Sequence, residues 1–158
     1  MASNFKFIHI STDEVYGSLQ LDKKQFSENN LMKPNSPYAA TKASGDLLAR
    51  SWFKTYGFPV ITTNSSNNYG FWQFPEKLIP KTIILANQKQ KIPIYGKGEN
   101  IRDWIHVDDH CNGIMSSILD GKSGQSYNIS GNNEINNITI VKKILDVMGK
   151  SEDLIEYV

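Results

Sequence analysis

The sequence predicts an α/β fold with a mainly parallel sheet. Short β-rich runs alternate along the chain with longer segments in which apolar residues recur every three or four positions. This alternation is typical of parallel strands joined by crossover helices. The 158 residues, of which 39% are hydrophobic and 21% charged, suffice for one domain with its own core. No linker divides them, so we expect a single unit.

The longest predicted helix lies between the first two predicted strands. Residues 5–10 form a β-rich run that ends at the polar sequence Ser-Thr-Asp. Ser36 and Pro37 then open a helical pattern that stops at Gly57, because serine is a common helix N-cap and glycine a common C-terminal stop. Residues 60–63 form the second predicted strand, and the polar residues 64–70 are predicted to be a turn.

The remaining elements continue the alternation. The sequence predicts, in order, a helix over about 75–87, strands over 92–95 and 104–107, a helix over 108–120, a last strand over 127–129 and a last helix over 138–148. Pro80 is expected to bend the first of these helices. Because parallel sheets bind ligands at the carboxyl ends of their strands, the polar residues 11–14 and 64–68 are the candidate sites of chemistry.

Bulk composition narrows the range of functions. Seventeen Lys and Arg residues against sixteen Asp and Glu leave a net charge of +1, which predicts neither nucleic-acid nor membrane-surface binding. No apolar run approaches the roughly 20 residues of a membrane helix, and no signal peptide is recognisable, so we expect a cytoplasmic protein. The histidines form no metal-ligand pattern. We interpret His9 as a core histidine and the single cysteine, Cys111, as core packing.

Tyr38 and Lys42 lie four residues apart at the start of a predicted helix, which places them on one face, one turn apart. A neighbouring ammonium favours the phenolate form of a tyrosine, so such a pair can remove a hydroxyl proton near neutral pH. By spacing alone, a surface pair without a function is the more frequent explanation. The assignment therefore depends on the surrounding motifs.

Three motifs in order supply that context: Ser-Thr-Asp-Glu-Val-Tyr-Gly over 11–17, Ser-Pro-Tyr-Ala-Ala-Thr-Lys over 36–42, and Asn-Asn-Tyr-Gly over 67–70. Together they resemble nucleotide-sugar enzymes of the extended short-chain dehydrogenase/reductase group. The acidic pair Asp13 and Glu14 resembles the dTDP-glucose 4,6-dehydratases within that group, since the 4-epimerases and decarboxylases do not carry it. The resemblance implies the C-terminal part of a Rossmann-like sheet, with residues 1–70 left from the NAD-binding domain and 71–158 mainly binding substrate.

In this family the C4 of the sugar is oxidised by hydride transfer to NAD, water is lost across C5 and C6, and the hydride returns to C6. The resemblance implies that Tyr38, supported by Lys42, deprotonates the C4 hydroxyl. Glu14 would remove the C5 proton, Asp13 would protonate the departing C6 hydroxyl, and Thr12 would hydrogen-bond the sugar. Close carboxylates tend to have pKa values pushed apart, which suits one acid and one base. Without the neighbouring motifs, solvated loop acids or a helix cap would be the better interpretation.

The resemblance also implies contacts to the rest of a dTDP-glucose substrate. These would come from Asn67, Lys77, Leu78, Pro93, Ile94, Tyr95, Arg102 and Asn137. Tyr95 would stack on the base, and Arg102 would bind a phosphate through its fixed fork of donors. Asn68, with Tyr38 and Lys42, would contact the NAD. The alternatives are solvated surface charge for the lysine and arginine and core packing for the tyrosine at position 95.

Two parts of the family pattern are not found. No Gly-x-x-Gly-x-x-Gly follows a first strand to bind the NAD pyrophosphate, and the sequence ends before the family's last substrate-binding stretch. We therefore expect a truncated, split or excised chain with little or no activity alone. We also expect self-association, or binding of a missing N-terminal half, through the face that absent strands would cover. A UDP-sugar 4,6-dehydratase and a non-catalytic subunit that binds sugar nucleotides remain the alternatives.

Overall fold

The computed structural model describes residues 5–18 and 25–158, and within them it confirms an α/β fold with parallel sheets. The strands are β1 (Phe7–Thr12), β2 (Val60–Ser65), β3 (Asn67–Tyr69), β4 (Ile92–Ile94), β5 (Ile101–His106), β6 (Ser126–Ile129), β7 (Glu134–Asn136) and β8 (Ile155–Tyr157). The α-helices are α1 (Pro37–Tyr56), α2 (Leu78–Asn87), α3 (Val107–Asp120) and α4 (Asn137–Val147). Two short 3₁₀ helices cover Asp13–Tyr16 and Glu152–Leu154.

Three small sheets organise the described residues. The first has the order β1-β2-β6 and is parallel throughout. Its central strand β2 is buried along its whole length, as expected for a parallel strand covered on both faces. In the second sheet, β5 pairs in parallel with β3 and antiparallel with β7. The third pairs β4 with β8. The strand β6 thus joins the first sheet although it lies late in the chain.

Helix α1 begins and ends where the sequence predicts. The Ser36 side chain accepts a hydrogen bond from the Ala39 N–H at 3.1 Å, which satisfies one of the free donors of the first turn. Gly57 ends the helix in the left-handed conformation, with a φ of 66°. The buried face of the helix contains Ala43 and packs on the 3₁₀ helix after β1. This packing brings the two regions with candidate catalytic residues together.

A second core lies between α2, α4 and β4. Its fully or nearly fully buried members are Ala86, Ile92, Ile94, Val141 and Leu145. Burial of one leucine-sized side chain of this kind stabilises a fold by about 1.5–3 kcal/mol. Strand β4 and the start of α2, which are held by this core, carry three of the predicted substrate-binding residues, Leu78, Pro93 and Ile94.

Several element predictions are wrong in detail. Residues 64–70 are not a turn, since β2 continues to Ser65 and β3 follows at once. Their polar side chains suggested a loop, but a buried strand tolerates asparagine and serine when hydrogen bonds satisfy them. The strand predicted over 127–129 is not the last one, because β7 and β8 follow it. Pro80 lies in the first turn of α2, where a proline removes no helical hydrogen bond, and it does not interrupt the helix. Cys111 is exposed rather than packed.

None of the helices within residues 5–18 and 25–158 combines the length and hydropathy needed to span a membrane.

Candidate active site

The predicted acid pair lies in a capped turn at the carboxyl end of β1. The Thr12 hydroxyl oxygen accepts a hydrogen bond from the Glu14 N–H at 3.3 Å and so caps the 3₁₀ helix that starts at Asp13. The last two residues of this turn, Val15 and Tyr16, are buried, with 0% and 6% of their surface exposed, and they anchor it in the core. The Tyr16 hydroxyl donates to the Asn128 side chain of β6 at 3.0 Å, which fixes the turn across the sheet.

Asp13 and Glu14 face a cavity of about 220 Å³ at this edge of the sheet. Its other lining residues include Ser36 and Ala39 at the start of α1, together with polar residues from four strands and the loop after β6. Those polar residues are Asn64, Arg102, Asp103, Asn128, Ser130 and Glu134. The cavity therefore combines hydrogen-bonding groups with an excess of negative charge.

Asp13 is the residue in this cavity whose acidity is most clearly changed. Burial, and then the negative charges of Glu14 and Asp103, raise its pKa from 3.8 to about 6. A hydrogen bond from Thr12 and the positive charge of Arg102 act weakly in the opposite direction. Asp13 is thus about half protonated near pH 6, where an ordinary aspartate is almost fully ionised, and this suits a group that donates a proton.

Tyr38 and Lys42 lie on the neighbouring helix. The Lys42 ammonium donates to the main-chain carbonyl of Ile10 in β1 at 2.7 Å, so the helix is clamped to the strand that leads into the acid turn. Tyr38 does not line the cavity, although its neighbours Ser36 and Ala39 do, and its side chain is 57% exposed. The structure therefore brings the two motifs to one end of the sheet and leaves the tyrosine ring accessible from outside.

Asn67 and Asn68 form the start of β3 rather than a loop. The Asn68 amide group is held at both ends, because its nitrogen donates to the Ser66 carbonyl at 3.1 Å and its oxygen lies 2.8 Å from His110 Nδ1. Burial lowers the pKa of His110, which favours a neutral ring that donates from Nδ1 to this oxygen. Sequence reasoning missed this role of His110, and no motif around it gave a signal.

A second cavity, of about 250 Å³, gathers predicted substrate residues from three parts of the chain. The predicted residues that line it are Leu78, Pro93, Ile94, Tyr95 and Asn137. The Tyr95 side chain is 77% exposed, so it is not part of the core. Lys77 does not line this cavity and lies at the surface, 3.2 Å from Glu76. Arg102 belongs to the first cavity instead.

Asp103 is a cavity residue that the sequence analysis did not single out. It is 8% exposed, and its two carboxylate oxygens accept hydrogen bonds from the main-chain N–H groups of Gly131 and Asn133 at 2.8 and 2.7 Å. An aspartate within a strand that also contains Trp104 and Ile105 was the available signal, since buried carboxylates require hydrogen-bond partners.

Comparison with known proteins identifies the family. The family model described as GDP-mannose 4,6 dehydratase matches residues 1–157. The chain belongs to this family. Among curated members of similar sequence, dTDP-glucose 4,6-dehydratase 1 of Escherichia coli K12 is 48% identical over 154 residues, which cover 92% of this chain and 43% of that protein. A probable dTDP-glucose 4,6-dehydratase of Sinorhizobium fredii is 50% identical over 140 residues, covering 89% and 40%.

Solved structures of two dTDP-glucose 4,6-dehydratases have the same fold as this chain. The dTDP-glucose 4,6-dehydratase of Bacillus anthracis, in complex with NAD, has a TM-score of 0.94 and 49% identity, covering 97% of this chain and 49% of that one. The Streptomyces venezuelae dTDP-glucose 4,6-dehydratase with NAD bound has a TM-score of 0.92 and 43% identity, covering 96% and 46%. The chain thus spans less than half the length of these relatives.

Both of these solved relatives contain NAD, and the residues present here can be compared with the two ends of such a cofactor. The accessible Tyr38 ring and the fixed Lys42 ammonium stand beside β1, whose Ile10 side chain is 45% exposed. Among the described residues β1 pairs only with β2, so its other edge and the space beside it are open. These groups suit the reactive end of the cofactor. No glycine-rich loop follows a strand in the sequence, so the residues present do not account for its pyrophosphate.

Proposed function

We propose that this chain carries the acid–base and nucleotide-sugar-binding residues of a dTDP-glucose 4,6-dehydratase, which yields dTDP-4-keto-6-deoxyglucose. The observation that carries the proposal is the capped turn in which Asp13, with a pKa raised to about 6, adjoins Glu14 at the wall of one cavity. Relatives that bear this enzyme name and are 48–50% identical to the chain support it. Because the chain spans about 40–49% of their length, we expect it to be nearly inactive alone.

The two carboxyl groups share the two proton transfers of the elimination. Glu14 takes the C5 proton of the oxidised sugar, and the electron pair of that C–H bond forms the C5–C6 double bond. The C6–O bond breaks at the same time, and Asp13 gives its proton to the departing hydroxyl, which leaves as water. An acid that is half protonated near pH 6 and a base beside it meet the opposite requirements of the two proton transfers.

Tyr38 and Lys42 serve the oxidation that comes before the elimination. Bound NAD supplies the acceptor for the C4 hydride and later returns that hydride to C6. Tyr38 receives the proton of the C4 hydroxyl, and the Lys42 ammonium, fixed on the Ile10 carbonyl, supports the charge on the phenol oxygen. Asn68, held by His110, lies near the same end of the sheet with one N–H free of the bond to Ser66.

We propose that the nucleotide occupies the second cavity, with the Tyr95 ring against the base and Asn137 and Leu78 beside it. Arg102 in the first cavity and Lys77 at the surface supply positive charge for the diphosphate. The supporting observation is that Asn100 lines the second cavity and its neighbour Ile101 the first, so one ligand can extend between them.

A chimaeric enzyme tests the reaction. Residues 5–158 replace the matching segment of the E. coli relative, which supplies the rest of the fold. We expect the chimaera to dehydrate dTDP-glucose. Asp13→Asn should slow the loss of water by roughly 10²–10⁴-fold, while the C4-oxidised sugar still forms. Mass spectrometry of the sugar nucleotide separates the two steps.

The matched control for this test is Asp146→Asn, which removes an exposed carboxylate from helix α4. This variant should keep the activity of the parent chimaera. A chimaera that folds and binds NAD but leaves dTDP-glucose unchanged contradicts the proposed reaction.

Calorimetric titration of the full chain with dTDP, UDP and GDP tests the nucleotide preference. We expect dTDP to bind most tightly and Tyr95→Ala to weaken it. Preference for UDP favours a UDP-sugar dehydratase instead. Tight dTDP binding combined with an inactive chimaera favours a non-catalytic subunit that binds sugar nucleotides.

The exposed aromatic face beside β1 supports a further proposal, that the chain binds protein there. We define this aromatic face as the rings of Phe5, Phe7, Trp52, Tyr56 and Phe58, whose neighbouring centroids lie 5.1–6.1 Å apart. Four of these side chains are 44–72% exposed, next to the unpaired edge of β1 within the described part of the sheet. Such a contiguous apolar patch is typical of an interface. Either a second copy of the chain or an NAD-binding half supplied by another chain would cover it.

A further inference from the structure

A buried carboxylate in the middle of helix α1 is the starting point. Asp46 is 3% exposed, although its neighbours Leu47 and Leu48 are 58% and 61% exposed. The helix thus turns an acidic residue inward and two leucines outward, the reverse of the usual amphipathic arrangement. Burial of a carboxylate is costly unless hydrogen-bonding groups compensate it, so its partners determine what it does.

Asp46 contacts both strands beneath the helix. Its Oδ1 lies 3.0 Å from His9 Nε2 in β1, and its Oδ2 accepts a hydrogen bond from Asn64 Nδ2 in β2 at 3.0 Å. One side chain thus connects α1 to two neighbouring strands of the first sheet.

The connection continues to the acid turn. The Asn64 amide nitrogen also donates to the main-chain carbonyl of Thr12 at 3.3 Å, and Thr12 is the residue that caps the turn beginning at Asp13. Asn64 is 2% exposed and lines the first cavity. A chain of polar contacts therefore runs from His9 through Asp46 and Asn64 to Thr12 at the start of the acid turn.

The residue before Asp46 in the sequence gives independent support. A Cβ atom on Gly45 would lie 2.9 Å from both Cε1 and Nε2 of His9, which is closer than real contacts allow. The glycine therefore lets α1 approach β1 closely enough for the His9 contact to Asp46 to form. Glycine is otherwise unfavourable inside a helix, so a contact of this kind accounts for its presence.

We infer that Asp46 is a positioning residue: through Asn64 and His9 it holds the helix that carries Tyr38 and Lys42 in register with the turn that carries Asp13 and Glu14. The inference rests on the proposed function, because it assigns these four residues their roles. Asp46 contacts neither cavity directly, and it acts through the Thr12 carbonyl and through the packing of α1 on β1.

The titration of Asp13 in the full chain, without sugar or cofactor, reports the position of the turn. Carbon-13 NMR of the side-chain carboxyl groups, assigned with Asp13→Asn, measures the midpoint, which we expect at about 6 in the parent chain. In Asp46→Asn and Asn64→Ala we expect a fall of about one pH unit, a tenfold change in ionisation, because the released turn exposes Asp13 to water. Gly45→Ala should act in the same direction by displacing the His9 ring.

Two further variants separate positioning from general stabilisation. His9→Gln keeps a donor nitrogen for Asp46 and should retain the Asp13 midpoint of the parent chain. His9→Leu lacks such a donor and should lower that midpoint. Asp146→Asn on the exposed side of α4 should change nothing. If Asp46→Asn does not fold, Asn64→Ala carries the test alone, since it leaves the His9 contact in place.

The inference is overturned if Asp46→Asn and Asn64→Ala lower the melting temperature but leave the Asp13 midpoint unchanged. It is also overturned if His9→Leu titrates like the parent chain. Because this titration needs no turnover, its outcome is independent of the chimaera assay, which alone decides the proposed function.

Discussion

The Asp13 carboxyl group is still about half protonated near pH 6 because it is shielded from water and lies near other negative charges. Glu14 is adjacent in sequence, whereas Asp103 reaches the same cavity from β5, where Gly131 and Asn133 hold it in place. Arg102 and a hydrogen bond from Thr12 oppose the effect but do not cancel it. Proximity in space, rather than in sequence, therefore sets part of the acidity of this residue.

Asp103→Asn should lower the pKa of Asp13 from about 6, because it removes one of the charges that raises it. Carboxyl NMR titration of the full chain measures the change. Glu134→Gln is the matched control, since Glu134 lines the same cavity but does not shift Asp13. Equal midpoints in the parent chain and Asp103→Asn would contradict the role assigned to Asp103.

The same shift has a consequence for stability. A carboxyl pKa that is higher in the folded state stabilises the fold only where the group is protonated, so this contribution is present below pH 4 and is lost as the pH rises through 6. From pH 4 to pH 8, urea unfolding should show Asp13→Asn gaining up to about 3 kcal/mol over the parent chain. A constant difference between the two proteins over this range would contradict the buried state of Asp13.

At the scale of elements, helix α1 is the part of the fold that local signals define best. Its N-cap at Ser36 and its left-handed C-terminal residue Gly57 satisfy free main-chain groups at both ends. Between them one face supplies Lys42 and Asp46 to β1 and β2, while the opposite face is apolar and exposed. The helix therefore contributes to the candidate site on one side and leaves an apolar surface exposed on the other.

Ser36→Ala should destabilise the chain by about 0.5–2 kcal/mol, because the Ala39 N–H loses its cap. The control Ser51→Ala, on the exposed surface of the same helix, should stay within about 0.5 kcal/mol. Urea unfolding followed by circular dichroism measures both. Equal losses in the two variants would show that the cap contributes nothing.

At the scale of the whole molecule, the aromatic face lies beside the edge of β1 that is unpaired within the described residues. Relatives of twice this length have further structure beyond the region that matches this chain. Exposed aromatic rings next to an unpaired parallel strand are unfavourable in water, and association reduces that exposure. We therefore expect the association of the chain to depend on what covers this face.

We predict that the chain associates as its concentration rises and that Leu48→Lys combined with Trp52→Lys shifts it toward the monomer. Both positions lie on the exposed side of α1 and are 61% and 53% exposed. Val147→Lys, at an 87% exposed position on α4, is the control and should leave association unchanged. Sedimentation velocity over a range of concentrations measures the effect. A parent chain that is monomeric throughout would contradict the prediction.

The division of the chain into residues 1–70 and 71–158 stays a prediction. The strand β6 pairs with β2 across that boundary, and α2 and α4 form a separate core within the later residues. The expected sites are distributed in the same way, with the acid turn and the Tyr38 helix before position 70 and the second cavity after it.

The sequence by itself determined the fold class, the bounds of α1 and the order of the candidate catalytic motifs, because caps, periodicity and motif spacing are properties of neighbouring residues. Only the tertiary structure decided that β2 extends to Ser65 and that β3 covers Asn67–Tyr69, because the Asn64 side chain finds its hydrogen-bond partners in Asp46 and Thr12, far away in the chain. It also decided the raised pKa of Asp13 and the contact of His9 with Asp46. Burial and charge proximity arise from residues far apart in the chain, and no local pattern records them.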